Sequence, residues 1–340
     1  MNMASPSLAA ELALLQILLE PFLPGIQVSY KKQIDSTNSA LMRHFKSVPT
    51  GLHETLHGPA AAPQLLLAGM QTAGRGRMGR VWHNADDSAD QGDAPADKLG
   101  DVVGGDGPGQ LLFSLGLPLA QGPGGSALSL VVGICVAEAL QAVLSAEMKL
   151  GPENDDMINC RIGLKWPNDV WLCNRIDGSE RKLAGILVET ASWGEARRTT
   201  VIGIGINLQA PAPWVEAMVE IPTDAIRVAV APVAAAGLRE VCPGVSAATV
   251  LRQVVLRLAQ ALAPFQTGGF SVFQTRFVAC DVLAGRAVQL SDGSSGVACG
   301  VDASGALKVR GENGLVQSIS SSEVSVRPLP AGTLEVVSPC

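Results

Sequence analysis

Four apolar segments, 161–165, 169–173, 182–190 and 199–207, follow one another with only short polar turns between them. Each has the length of a strand, and no gap is long enough for a crossover helix. They predict an antiparallel or mixed sheet rather than regular βαβ alternation. Further strands are expected at 26–30, 65–70 and 111–117, the last closed by Pro118. Residues 7–20 read as one short helix ended by Pro21 and Pro24. Asp35-Ser36-Thr37-Asn38 supplies capping residues for a second helix, and 126–148 has the length and alanine–leucine content of a long, buried third. Ser246 caps a fourth that runs to about Phe265, and 270–278 predicts a fifth. The fold class is α+β: a mixed or antiparallel sheet flanked by helices.

After Asp281 the texture changes. Short alternating segments (RAVQL, GVACGV, ALKVR, LVQSI) are broken by glycine turns, which predicts a small β-barrel. A boundary near Cys280 divides the chain into a large unit, 1–280, and a small one, 281–330, with a tail at 331–340. At 47% hydrophobic, the 340 residues can bury a substantial core.

The net charge of −6 is local in origin. Residues 84–110 hold seven of the 31 acidic side chains and one of the 25 basic ones, so the remainder balances at 24 of each. This Asp-, Gly- and Ala-rich stretch reads as a flexible surface insertion. Without surplus positive charge, nucleic-acid binding is not expected. The seven cysteines form no CxxC pair and are odd in number, so they read as scattered reduced thiols. The N-terminus lacks basic residues before its apolar run, and no uninterrupted apolar stretch reaches the roughly 18 residues of a membrane span. A cytoplasmic protein without membrane contact is expected.

Two short motifs mislead. His53-Glu54-Thr55-Leu56-His57 fits H-E-x-x-H, but Gly51 and Gly58-Pro59 bracket it too tightly for a stable helix, and His44 and His83 offer no evident third ligand. It reads as a loop, and no metal site is expected. Residues 74–79, Gly-Arg-Gly-Arg-Met-Gly, fit the dinucleotide fingerprint. That motif must open a helix, whereas Val81, Trp82, His83 and the acidic insertion follow here.

Read without that template, 74–80 is a flexible glycine loop carrying Arg75, Arg77 and Arg80. Glycines permit close backbone approach, and the forked guanidinium suits phosphate and carboxylate oxygens. Such a loop can grip an anionic, phosphate-bearing ligand and fold over it. Residues 164–169 turn at a strand end through Pro167 and display Lys165, Trp166, Asn168 and Asp169 together. A ligand-facing lysine is one reading, and a plain turn with a surface lysine explains the same residues. Alternate glycines in 203–207 leave one sheet face open for a ligand, or serve core packing.

In this order, DSTN at 35–38, QTAGRGRMGRVW at 71–82, LLFSL at 111–115, LKWPNDVWL at 164–172, RKLAGILVE at 181–189 and GIGINL at 203–208 resemble the biotin–protein ligase family. The resemblance implies a class II synthetase-like catalytic domain and a C-terminal SH3-like barrel. It implies biotin, ATP and Mg2+, with biotinyl-AMP formed first and biotin then passed to a lysine of a biotin carboxyl carrier protein. Ser36, Thr37, Asn38, Gln71, Gly74, Arg75, Gly76, Arg77 and Lys182 would meet biotin. Arg75, Arg77, Arg80, Trp82, Lys165, Asn168, Gly205 and Asn207 would meet the nucleotide. Arg77, Lys165 and Lys182 would carry the chemistry, and Trp214 would cap the adenine. About 25 residues precede the first core strand, too few for the helix-turn-helix of the family's repressors, so a monofunctional ligase is expected. A homodimer is compatible with these features. A lipoate–protein ligase, which shares the fold and adenylation chemistry, is the nearest alternative.

Overall fold

A computed structural model describes residues 7–47, 62–82, 109–119, 125–150, 159–193, 197–211, 234–320 and 326–329. The H-E-x-x-H motif, Trp214 and nearly all of the acidic insertion lie outside them. The insertion's last residues do not. Gly109 accepts hydrogen bonds from Leu208 N and Gln209 N, and Gln110 begins a strand.

Seven strands form one sheet: β1 (Gln27–Ile34), β2 (Gln64–Gln71), β3 (Gln110–Leu119), β4 (Cys160–Lys165), β5 (Asp169–Asn174), β6 (Glu180–Trp193) and β7 (Arg197–Asn207). Their spatial order is β1-β2-β3-β7-β6-β5-β4. β1 and β2 run parallel, and every other pair is antiparallel, which makes the sheet mixed as expected. The run β4 to β7 is a meander, because its apolar segments are separated only by turns too short for anything but hairpins.

Period-two alternation divides the sheet's faces. Leu65, Leu67, Phe113, Leu115, Ile202 and Ile204 enter the main core with helices α1 (Leu8–Leu19), α3 (Gly125–Leu150) and α4 (Ala247–Gly268). Leu66 and Val201 face the other way, where they meet Leu41 and Phe45 of α2 (Thr37–Ser47). Ser246 caps α4 by accepting from Thr249 N at 3.1 Å. The expected fifth helix is a 3-10 turn, Gly269–Phe273, running into α5 (Gln274–Cys280). α3 has an apolar window long enough to cross a membrane, but 83% of that window is buried inside the protein.

The C-terminal segment is a separate antiparallel sheet of β8 (Ala287–Leu290), β9 (Ser295–Val301), β10 (Leu307–Arg310), β11 (Val316–Ile319) and β12 (Val326–Pro328). Gly293, Gly305 and Gly314 take positive φ at its turns, conformations that glycine adopts without strain. β12, only three residues long, carries no sequence signal. Cys135, Cys160, Cys173, Cys242 and Cys280 are free thiols, but Cys299 is disulfide-bonded, so the expectation of unpaired thiols fails there.

Asp281 joins the two sheets, pairing in parallel with Leu164. Burial pushes its carboxyl up to about 6, although Leu283 N and Arg161 pull the other way. A carboxyl whose folded pKa is raised adds stability below its unfolded pKa of 3.8 and loses it as pH rises through about 6. Asp281→Asn keeps an acceptor for Leu283 N (2.8 Å) and removes the buried charge. Denaturant melts should show the variant stabilised by about 1–3 kcal/mol at pH 8, with no gain at pH 4.

Candidate active site

The site lies on the face of the large sheet that α2 covers, where a cavity of about 940 Å³ opens. Its floor is bare backbone. Gly185 of β6 stands opposite Gly205 of β7, and both lie beneath the ring of Trp82. A Cβ at Gly205 would come within 2.6 Å of that ring, and one at Gly203 within 2.2 Å of Asn38 Oδ1. The alternate glycines therefore serve close approach, with the neighbouring isoleucines supplying the core. Gly205→Ala should displace the Trp82 ring and weaken ligand binding about tenfold by calorimetry, within the usual cost of overpacking. Unchanged affinity would show that the ring's seat is dispensable.

The closed end of the cavity is polar and buried. Ser36, Thr37 and Asn38 are each no more than 3% exposed. Thr37 N and Oγ1 donate to Gln71 Oε1 at 2.7 and 3.1 Å. Ser114 Oγ lies 2.7 Å from Thr37 Oγ1 and 2.6 Å from Asn38 Oδ1. Ser36 also caps α2, accepting from Ser39 N at 3.4 Å.

The arginine loop is ordered as a hairpin. Arg75 pairs with Val81, Trp82 N donates to Gly74 O at 3.0 Å, and Gly76 N donates to Arg80 O at 2.7 Å. A 3-10 turn at Arg77–Gly79 closes it, with Met78 in the left-handed region at φ 55°. Arg75, although half exposed, donates to Ser39 Oγ (3.3 Å) and Glu189 Oε1 (2.8 Å). Arg77 turns inward and donates to Asn168 Oδ1 at 3.2 Å. Burial lowers its pKa, with Asp169 opposing that shift and Arg80 adding to it.

Two lysines share one carboxylate at the cavity's centre. Lys182 Nζ sits 2.7 Å from Asp169 Oδ1, and Lys165 Nζ sits 3.9 Å from Asp169 Oδ2. Lys165 also lies over the Trp171 ring (5.3 Å), and Lys182 over Trp82 (5.5 Å). Lys165 is only 9% exposed, and burial lowers its pKa against the pull of Asp169. Burial pushes the Asp169 carboxyl up, but Lys182 and Lys165 outweigh it and hold the group below its ordinary value. The 166–167 peptide bond is cis, and the Trp166 indole N–H donates to Gly305 O of the small sheet at 3.0 Å. Asn168 is fixed by an exchange with Ile186: its Nδ2 donates to Ile186 O (2.8 Å), and its carbonyl accepts from Ile186 N (3.0 Å).

Of the expected site residues that the structure describes, all except Gly74 line this one cavity. Gly74 stands behind the wall, holding the hairpin closed. Asn207 accepts from Gln110 Nε2 at 2.9 Å. Ser114, Trp171 and Glu189 join the site without being expected there, and Asp169, displayed beside Lys165 in the sequence, had no assigned role. Ser114 signals itself as a polar residue in an apolar strand. Asp169 signals itself as an acid four positions from a lysine across a turn. The small sheet lends Arg286 and Arg327 to the cavity's rim. The two acids on the wall are both paired with cations, Glu180 with Arg286 and Asp169 with the lysines. Among the described residues no cluster of three or more His, Cys, Asp or Glu side chains gathers.

Residues 103–207 match the Biotin/lipoate A/B protein ligase family, and residues 285–327 match the Biotin protein ligase C terminal domain. The chain is 29% identical over 300 residues to the bifunctional ligase/repressor BirA of Salmonella typhimurium, covering 87% of this chain and 76% of that protein. It is 30% identical over 262 residues to the biotin–[acetyl-CoA-carboxylase] ligase of Paracoccus denitrificans, covering 76% of this chain and 88% of that one. In fold it resembles a biotin protein ligase from Aquifex aeolicus solved with biotin and ATP. The TM-score is 0.57 at 24% identity, over 89% of this chain and 99% of that one. Both domain matches, and a relative covered over most of its length, point the same way: the chain belongs to the biotin–protein ligase family.

Proposed function

We propose that this chain joins biotin to ATP and then passes the biotinyl group to a lysine of a biotin carboxyl carrier protein. In the first step a biotin carboxylate oxygen bonds to the α-phosphorus, the bond to the β-phosphate oxygen breaks, and pyrophosphate leaves. In the second, the carrier's ε-amine bonds to the acyl carbon, and AMP leaves as the amide forms. The observation that carries this reading is the pair of lysines on Asp169, set between a buried polar end and an arginine hairpin.

Each part of the cavity has a place in that reaction. Ser36, Thr37, Asn38 and Gln71 supply the hydrogen-bonding wall that a cyclic urea requires. Lys182 meets the carboxylate of biotin. Lys165 stabilises charge growing on the reacting oxygens, where a buried ammonium acts more strongly than one in water. Arg77, Arg80 and Asn168 hold the adenylate phosphate, while Trp82, Gly205 and Asn207 border the nucleotide. Arg75 anchors the hairpin at the biotin end, with Gly74 and Gly76 giving the turn its close approach. Magnesium is expected to enter with the triphosphate, because Mg2+ takes much of its coordination from substrate phosphates and water, and the wall's own carboxylates are already paired. Residues 1–280 would then act as the catalytic unit, with 281–330 as the SH3-like domain closing one side.

The buried polar end also favours biotin over lipoate. A wall built to hydrogen-bond a urea is left unsatisfied by a dithiolane ring, a mismatch that discriminates strongly. Incubation with biotin, ATP, Mg2+ and a biotin carrier domain should add one biotinyl group to one carrier lysine, read by intact mass. Lipoylation of a lipoyl domain, with no biotin transferred, would overturn the proposal.

A further inference from the structure

The polarity of the cavity's closed end is set from behind by a carboxylate that does not line it. Glu189 lies two residues beyond the wall residue Leu187 on β6, so alternation places both on the cavity's side of the sheet. One oxygen, Oε1, accepts from Arg75 at 2.8 Å, and the other, Oε2, accepts from Asn38 Nδ2 at 3.0 Å. Asn38 Nδ2 also donates to Leu187 O at 3.2 Å, so both of its N–H bonds point at β6. Asn38 Oδ1 must then face Ser114, and since it can only accept, the single Ser114 proton is donated to it. Thr37 Oγ1, 2.7 Å from Ser114 Oγ, gives its own proton to Gln71 Oε1 and shares the Ser114 proton with Asn38. A Cβ at position 203 would collide with Asn38 Oδ1, so the carboxamide packs directly against the β7 backbone.

We infer that Glu189 is a positioning residue that fixes the donor–acceptor pattern of the ring-binding wall and ties that wall to the arginine hairpin through Arg75. The inference rests on reading the cavity as a biotin site. Its consequence is selective. Asn38, Ser114 and Thr37 serve the ring end, whereas the nucleotide end includes Asn168, Asn207 and Lys165, none of which is bonded to Glu189. Loss of Glu189 therefore weakens the use of biotin far more than the use of ATP, because the hairpin keeps its own backbone bonds and the Arg77–Asn168 contact.

The test is biotin-dependent ATP–pyrophosphate exchange on the full chain, with KM for each substrate measured separately. Glu189→Met removes both acceptors and should raise the biotin KM at least about tenfold, with the ATP KM within twofold of wild type. Glu189→Gln keeps one acceptor, which can serve Asn38 or Arg75 but not both, and should fall between wild type and Glu189→Met. It also provides the test if the methionine variant fails to fold. Adding Arg75→Met to Glu189→Gln should cost less than the two single effects combined, because the pair acts as one unit. A biotin KM unchanged in Glu189→Gln, or biotin and ATP KM values rising together, would overturn the inference. Absence of biotin-dependent exchange in the wild-type chain would instead overturn the reading of the cavity as a biotin site, and this inference with it.

Discussion

Asp169→Ala is expected to lower biotin-dependent pyrophosphate exchange by about a hundred- to a thousandfold, the range seen when one preorganised electrostatic group is lost from an active site. Asp169 lies 2.7 Å from Lys182 Nζ and 3.9 Å from Lys165 Nζ, and no other acid shown on the wall is unpaired. Without it, two ammonium groups face each other in a partly buried site, and both are driven away from the position where the substrate carboxylate must sit. Asp169→Asn separates geometry from charge, because it keeps the shape. Burial already lowers the pKa of Lys165, and losing the Asp169 charge lowers it further. A lysine is charged below its pKa, so the variant's rate should fall at lower pH than that of wild type and recover in part on acidification. A pH–rate profile from 6 to 9 checks this, and a profile unchanged from wild type would remove Asp169 from the mechanism.

Arg77→Gly is expected to carry the second large effect, on retention rather than formation of the adenylate. Arg77 turns inward from the hairpin to Asn168, which is itself locked to β6 through Ile186. A phosphate bound there would gain a charge-assisted hydrogen bond together with the closure of the hairpin. The glycine variant loses both and should release biotinyl-AMP at least about tenfold faster, since a single charge-assisted bond is worth about 1.5–3 kcal/mol. Released adenylate acylates bystander lysines, so the variant should label added albumin that wild type leaves untouched. Equal retention of the adenylate by both proteins would show that Arg77 does not hold the phosphate.

Much of this was legible in the amino-acid order because local chemistry determines it. The meander from β4 to β7 follows from apolar segments too closely spaced for helices, and α2 follows from the capping residues ahead of it. Strand order was not legible. β3 lies between β2 and β7, and that placement depends on long-range pairing such as Ser114 with Leu66 and Gly203. The same pairing hides part of the site. Ser114 and Glu189 matter because register brings them to Asn38, 76 and 151 positions away in the chain. Arg75 and Arg77 were visible as a basic glycine loop, but not their different partners, Ser39 and Glu189 for one and Asn168 for the other, which lie far away in the chain.

The central claim is that this cavity forms a biotinyl adenylate, and ATP–pyrophosphate exchange measures that step directly. Exchange dependent on biotin, absent with lipoate, and lost in Lys182→Met is the predicted result. Exchange that ignores biotin, or that lipoate supports instead, would contradict it.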